Sequence, residues 1–485
     1  MEQNIKKEAP VDLKETMADL KKETPADLKK EVPVDLKKEA STDERSDKDA
    51  ECLLHQAVFA KDIQKISSLI RSLPPSALAE RDRHGNTPLH LAVMLGHIEC
   101  VQLLLSHGAP VKVKNNKGWS PLAEAVSYGH RPTICSLVRK LKSQARQQIE
   151  ERRPNLVEAL KQIGDFYMEL KWDFQSWVPL VSRILPSDVC KIYKKGSSIR
   201  LDTTLVDFND MRWERGDISF LFNGDGKPSE SLVVLDNLSK LFQIVRYEET
   251  ELEIEDEVDI LMSSDIMSAQ MSTKSINFAR AQSGWIFRED KKEMVGSFEA
   301  EFYTINGLVL ESRKRREHLT EEDLQKNKAI IESFTRGGNS AILDPNGEPI
   351  RRPSLPPPRE TEATWEQYVN APDDNLPVLG RAPIEKETSK YFKATVAMSQ
   401  KFPLTIDMLL SLLEIIAPFK HFSKLREFIL MKLPSGFPVK IDIPILPTVS
   451  AKITFEEFNF RNDIESLLFE IPKDYIEDPT RFPDL

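Results

Sequence analysis

Cysteine is scarce, long apolar runs are missing, and no catalytic signature can be found. Each absence removes a class of protein. The four cysteines, Cys52, Cys100, Cys135 and Cys190, have none of the close pairing used by a structural zinc or a disulfide framework. They are expected to be reduced, mostly packed thiols. No stretch approaches the roughly 18 consecutive apolar residues of a membrane span. The start, Met1-Glu2-Gln3-Asn4-Ile5-Lys6-Lys7, runs into charged sequence without the apolar core of a secretory signal, so a cytosolic site of action is expected. The net charge of −10 lacks the basic footprint of general nucleic-acid binding. Six of the eight histidines lie between His55 and His130, which leaves only His318 and His421 for the larger remainder. No nucleophile elbow, zinc-protease helix, phosphate loop or kinase signature is present. The expectation is a non-catalytic protein with no catalytic residue, no cofactor and no metal.

What is present is a repeat. Asp82-Arg83-His84-Gly85-Asn86-Thr87-Pro88-Leu89-His90-Leu91-Ala92 recurs as Asn115-Asn116-Lys117-Gly118-Trp119-Ser120-Pro121-Leu122-Ala123-Glu124-Ala125, with Gly85 and Gly118, Leu89 and Leu122, and Gly96 and Gly129 each thirty-three apart. That period at a hairpin glycine, an inner-helix leucine and an inter-helix glycine is the ankyrin repeat. Thr87-Pro88 and Ser120-Pro121 place a hydroxyl N-cap before a first-turn proline. A repeat buries its face only against a neighbour, and Leu54-His55-Gln56-Ala57-Val58 supplies a third, capping copy. A weak fourth follows at Ser136 to Leu141. His90 stands at the motif's usual histidine and reads as structural. Solenoids bind through repeated loops and inner helices, so the candidate partner-binding residues are the hairpin tips Arg83, His84, Asn86, Asn116, Lys117 and Trp119. Trp119 is either the anchor of such a contact or a packing residue on the adjoining domain.

The fold class expected is α+β and multidomain: an α-helical ankyrin solenoid, then a mixed, largely antiparallel β-sheet domain with helices, preceded by a disordered tail. Residues 1–49, with recurring Asp-Leu-Lys units broken by prolines, form the low-complexity tail. Residues 50–142 hold about three repeats, and 143–170 a connecting helix whose stripe runs Leu156, Leu160, Ile163, Tyr167, Leu170. The basic stretch Arg139 to Arg153 before it could touch an anionic membrane surface. Period-two alternation over 171–317 predicts antiparallel strands, with Gly224-Asp225-Gly226 as a hairpin turn and Glu248 to Asp259 as a solvated acidic loop. Residues 318–390 read as a short helix and a proline-rich linker. Residues 391–485 read as two helices and two strands that complete the sheet domain.

Within the linker, Arg351-Arg352-Pro353-Ser354-Leu355-Pro356-Pro357-Pro358 is expected to be extended and exposed. Ser354 is a candidate phosphosite, since Arg351 three before it and Pro356 two after it suit a basophilic kinase and then 14-3-3 docking. Arg313-Lys314-Arg315-Arg316 resembles a nuclear signal but reads better as a charged strand-to-helix junction.

Several long blocks in order carry a resemblance: Trp172-Asp173-Phe174-Gln175-Ser176-Trp177-Val178-Pro179-Leu180, Arg183-Ile184-Leu185-Pro186-Ser187-Asp188, Asp259-Ile260-Leu261-Met262-Ser263-Ser264, Leu310 to His318, and Arg481-Phe482-Pro483-Asp484-Leu485. From about Cys52 to Leu485 the chain resembles the ankyrin repeat domain 13 family, and its C branch most. The resemblance implies a receptor-chaperone domain held peripherally on the cytosolic face of the endoplasmic reticulum membrane. There it would bind G-protein-coupled receptors and control their biogenesis, retention and exit. It also implies an alternative, a trafficking or endocytic adaptor for ubiquitinated membrane receptors. Members of that kind carry ubiquitin-interacting motifs. The nearest match here, Glu321-Glu322-Asp323-Leu324 to Ala329 and Ser333, places Lys326 where an apolar residue is expected, and no such motif follows before Leu485. The chaperone branch is therefore the expectation.

Overall fold

The computed structural model describes residues 52–176, 185–209, 212–245, 248–272, 275–284, 289–336, 351–372, 375–410, 433–446 and 449–482. The tail repeats, the Trp177 to Leu180, Arg183-Ile184 and Pro483 to Leu485 parts of the family blocks, the later part of the first C-terminal helix stripe (Leu412, Leu413, Ile416), the second C-terminal helix over 419–431 and Pro447 lie outside these residues.

Three helix pairs come first among the described residues: α1 (Leu53–Phe59) with α2 (Ile63–Ser72), α3 (Pro88–Met94) with α4 (Ile98–Ser106), and α5 (Pro121–Tyr128) with α6 (Arg131–Gln162). The expected caps form. Pro88 and Pro121 each occupy a first helical turn, and Ser120 Oγ accepts the Ala123 N–H at 3.3 Å. Leu54, Val58, Leu89, Ala92, Val101, Leu104 and Ile134 interlock in one apolar core. Histidines stitch the copies together. His55 Nε2 lies 3.0 Å from the Asn86 carbonyl and His90 Nε2 3.0 Å from the Trp119 carbonyl, so each inner helix grips the next hairpin. His90 Nδ1 accepts the Thr87 N–H at 3.0 Å, which fixes the neutral ring with its proton on Nε2.

Helix α6 differs from expectation. The weak fourth repeat, the basic stretch and most of the connecting helix are one continuous helix of 32 residues. The apolar stripe then breaks: Leu160 is buried in α6, whereas Tyr167 and Leu170 belong to strand β1 (Phe166–Ser176). Steps of four and three fit a helix and not a two-residue period, and pairing with β15 (Val449–Phe460) overrode that pattern from Phe166 onward. Lys194, wholly buried at the end of β2 (Ser187–Lys195), ties this junction by donating to the Ile163 carbonyl and, at 3.2 Å, to Asp165.

Among the described residues, fourteen strands form one sheet. The remaining principal strands are β3 (Ser198–Asn209), β4 (Arg212–Asn223), β5 (Leu232–Asp236), β6 (Leu241–Ile244), β7 (Ile266–Ser272), β8 (Asn277–Arg280), β9 (Gln282–Ser283), β10 (Glu289–Asp290), β11 (Lys292–Val295), β12 (Phe298–Arg315), β13 (Glu385–Ser399), β14 (Phe437–Leu446) and β16 (Ile476–Glu477). Their order is β11-β12-β13-β14-β15-β1-β2-β3-β4-β5-β6-β16, with β7 and β8 also on β12, while β9 and β10 pair apart from it. Every pairing in the sheet is antiparallel except β6 with β16. Strands from both sides of the predicted linker thus alternate in one sheet, so 171–317 and 391–485 are halves of a single domain. Ser297 N–H donates to the Glu456 carbonyl at 3.1 Å, which brings the β11–β12 turn back over β15. The rolled sheet encloses Phe166, Phe298, Phe402, Phe437, Phe455 and Phe458, with Phe402 stacked on Phe437 at 3.9 Å. The start of the terminal block is docked as well: Arg481 pairs with buried Asp236 at 2.8 Å and the Phe482 N–H donates to Gln243 at 2.7 Å.

Burial pulls the His90 imidazole down to about 4 from its ordinary 6.5, and burial likewise lowers His55 and His97. A ring that stays neutral when folded but takes up a proton when unfolded leaves stability intact above pH 6.5 and removes it as pH falls toward 4. His90 alone accounts for about 3 kcal/mol at the lower end. The melting temperature is therefore expected to drop across that window, less steeply in His90→Gln; equal slopes in the two proteins would refute this assignment.

Candidate functional site

The hairpin Asp82 to Asn86 carries the first half of a joint between the repeats and the sheet domain. Asp82 Oδ1 accepts the His84 and Asn86 N–H groups at 2.9 and 2.8 Å, which closes a tight turn. Its other oxygen accepts the Tyr368 hydroxyl at 2.6 Å, and Asn86 Nδ2 donates to that same hydroxyl at 2.8 Å. Tyr368 lies in α9 (Trp365–Asn370), started by a Thr364–Gln367 capping box. His84 Nε2 meets the Tyr368 carbonyl at 3.0 Å, and Phe59 stacks on the tyrosine ring. Burial, then the Asp82 charge, pushes the phenol well above its ordinary pKa, so it remains a donor at any physiological pH.

Arg315, the last residue of β12, carries the second half. Its guanidinium lies 5.1 Å from the Trp119 ring centre. One end donates to both Glu124 oxygens at 3.0 Å, the other to Glu317 at 2.6 Å and to Ser127 Oγ at 3.0 Å. Arg315 is 4% exposed and Glu124 7%. Burial raises the Glu124 carboxyl, with Arg315 opposing. Burial also pushes on Glu317, but the Arg315 charge and the bond from Ser127 outweigh it and hold that carboxyl low. One cation thus serves two carboxylates out of water, an arrangement whose value depends on every partner being present. A cavity of about 110 Å³ lies alongside, bounded by Trp119, Glu124, Tyr128, Arg315, Leu379 and Arg381.

A third contact is electrostatic. The acidic stretch expected as a loop is helix α7 (Glu251–Ser263), begun by a Thr250–Glu253 capping box. It runs antiparallel to α6 and matches its cations: Arg131 pairs with Glu255 and Asp259, Arg139 with Glu251, Lys142 with Glu257, and Arg146 with Glu249 just before α7. Arg139, Lys142 and Arg146 of the basic stretch are thus paired within the chain, which lowers the charge that the α6 basic stretch offers to an anionic surface. The cluster Arg313 to Arg316 is equally committed. Arg313 pairs with Glu387 at 2.8 Å, Lys314 and Arg316 pair with Asp265, and Arg315 holds the joint. It is a junction and not a free signal.

The six hairpin-tip residues separate into two groups. His84, Asn86 and Trp119 are 3%, 3% and 2% exposed, covered by Tyr368 and Arg315 of the same chain. As partner contacts they are corrected: Trp119 packs on the sheet domain and anchors no outside protein while the joint is closed. Arg83, Asn116 and Lys117 are exposed, with Asn116 Nδ2 donating to the Arg83 carbonyl at 3.1 Å. Ser354 is exposed, but its segment is docked rather than free: its Oγ accepts the Arg131 N–H at 3.0 Å. A 14-3-3 groove, which needs a loose extended peptide, does not reach it in this arrangement. The sequence reading missed Tyr368, Arg315 and Glu124. Tyr368 has no local signal, and Arg315 stands in the run Arg313 to Arg316 with nothing local to set it apart from its neighbours.

Three stacked helix pairs with a rolled antiparallel sheet locked onto their hairpins define an ankyrin-repeat scaffold with an appended β domain. Residues 54–148 match the family model described as "Ankyrin repeats (3 copies)", and residues 200–478 the one described as "ANKRD13 C-terminal". The chain belongs to the ankyrin repeat domain-containing protein 13 family. It is 63% identical over 440 residues to ankyrin repeat domain-containing protein 13C-B of Xenopus laevis, covering 91% of this chain and 85% of that one. It is also 63% identical to human protein 13C over 89% of this chain and 79% of that one. Identity to human protein 13B is 36%, over 79% of this chain and 63% of that one.

Tyr368→Phe leaves buried Asp82 and Asn86 short of a partner and is expected to destabilise the chain by about 1–3 kcal/mol. Denaturant unfolding checks the loss; unchanged stability would mean that the hydroxyl bonds are dispensable.

Proposed function

We propose that the chain is a non-catalytic molecular chaperone that binds G-protein-coupled receptors on the cytosolic face of the endoplasmic reticulum and regulates their biogenesis, retention and exit. Support comes from family membership together with the receptor-chaperone domain that the family blocks imply. The observation that carries the reading is the joint itself. The histidines and carboxylates that could do chemistry there, His55, His90, Asp82, Glu124 and Glu317, are spent on backbone carbonyls, Tyr368 and Arg315. Such a site holds two modules in register and leaves their outer surfaces to bind. Among the described residues no helix is long and apolar enough to cross a membrane. With Arg139, Lys142 and Arg146 paired inside the chain, peripheral attachment through the receptor is favoured over attachment through the basic helix.

A trafficking or endocytic adaptor for ubiquitinated receptors is the alternative. Its strongest feature is α8 (Glu321–Arg336), with three acidic residues in its first turn. Asp323 there is taken by Arg352 at 2.6 Å, and Asn327 donates to the Ser263 carbonyl at 2.9 Å, so that face is engaged by the chain's own neighbours.

The test is affinity co-purification from gently solubilised reticulum membranes, with wild type beside a variant carrying Arg83→Glu, Asn116→Ala and Lys117→Glu. Capture of immature, core-glycosylated receptors by wild type and severalfold less by the variant is expected. Mature or ubiquitinated receptors in their place would favour the adaptor, and equal capture by both proteins would move the contact to the sheet domain.

A further inference from the structure

Residues 351–362 form no regular structure, yet their first half, Arg351 to Pro356, is held by hydrogen bonds and ion pairs. The Leu355 N–H donates to the Gly129 carbonyl at 2.8 Å. Gly129 ends α5 at φ +88°, and a Cβ there would stand 2.5 Å from Leu355 Cδ1, so the leucine seats where only glycine leaves room. Arg351 pairs with Asp256 at 2.5 Å and Asp259 at 2.9 Å, and Arg352 pairs with Asp323 at 2.6 Å. The Arg352 N–H reaches Asp259 at 2.9 Å, while its carbonyl accepts from Arg131 at 2.8 Å. Further along, Arg381 donates to the Pro356 carbonyl. This strap spans the end of α5, the start of α6, and helices α7 and α8.

Ser354 stands in the middle with its side chain exposed. Arginines three and two residues before it and leucine one after present the pattern that acidic kinase clefts recognise. We propose that Ser354 is a phosphorylation site for a basophilic serine kinase, and that the strap is a latch which the added phosphate holds open. The inference is independent of the receptor reading.

Geometry sets the order of events. Both recognition arginines are occupied by Asp256, Asp259 and Asp323, so the kinase acts on a strap that has come away. Ser354 Oγ then attacks the γ-phosphorus of ATP, its bond to the β–γ bridging oxygen breaks, ADP leaves, and the hydroxyl proton passes to the kinase's base. The product carries about −1.5 to −2 charge at neutral pH. Around the docked position, three arginines (Arg131, Arg351, Arg352) already face four carboxylates (Glu255, Asp256, Asp259, Asp323). The positive end of α6 adds only about half a charge. A dianion returning there meets excess negative charge with its possible cations committed, so redocking is disfavoured. Opening uncovers Gly129 and frees the start of α6.

The experiment incubates the full chain with the catalytic domain of a basophilic kinase and ATP, and locates phosphate by mass spectrometry. Its comparators are Ser354→Ala, Asp259→Asn and a synthetic peptide of residues 351–362. Phosphate is expected on Ser354, at least about tenfold more slowly in the full chain than in the peptide, because an open minor state holds roughly 0.1–10% of molecules. Asp259→Asn should react severalfold faster than wild type. Hydrogen exchange at the Leu355 amide should speed up once Ser354 is phosphorylated. Absence of phosphate on Ser354 in the full chain, in Asp259→Asn and in the peptide overturns the site. Equal rates in peptide and full chain, or a Leu355 amide that becomes more protected, overturns the latch.

Discussion

One of the three contacts that join repeats to sheet is built on a single buried cation, Arg315. A guanidinium removed from water is costly, and here it is offset by two carboxylates, one hydroxyl and the face of an indole. Glu124 and Ser127 come from α5, Trp119 from the hairpin before it, and Glu317 from the chain just beyond β12. None of the three charged groups tolerates burial without the others, so the interaction acts as a register pin. A partial match leaves a charge stranded, whereas a small slide of the sheet domain across the solenoid would leave an apolar interface nearly as stable. Tyr368 fixes a second point one repeat away, and the α6–α7 ion pairs fix a third. Three separated contacts define an orientation, and an orientation is what a two-module binding platform requires.

How much of this was legible depended on sequence distance. The repeats were clear because their signals are local: a thirty-three-residue period, hydroxyl caps before proline, a histidine at a fixed place. Most strands were clear for the same reason, since alternation appears within a few residues. Trp119 could be read as an anchor or as packing, and its resolution lay 196 positions away at Arg315. The stretch from Glu248 read as a solvated loop because carboxylates crowd it, but its counter-charges are on α6, more than a hundred residues earlier. Charge density alone does not separate a solvated face from one half of an ion-pair ladder. Likewise, the proline-rich segment reads as extended and exposed, and much of it is exposed, but nothing local shows that Gly129, Asp259 and Asp323 hold it.

The same geometry shapes the functional reading. In an ankyrin block standing alone, hairpin tips and inner helices would face outward together. Here α9 and the end of β12 occupy part of that face, leaving Arg83, Asn116 and Lys117 at the rim. A partner therefore meets a composite surface of repeats and sheet. The buried arginine and the docked strap favour one shape over many.

The central claim is that repeats and sheet are one unit because of the Arg315 joint. Hydrogen exchange of the full chain beside Arg315→Met measures it most directly. The account predicts that amides of α5, of the Asn115 to Trp119 hairpin and of α9 lose protection together, while α1, α2 and the β1–β2 pairing keep theirs. Protection unchanged across α5 and α9 in the variant would contradict it, and the joint would then be a consequence of the fold and not its constraint.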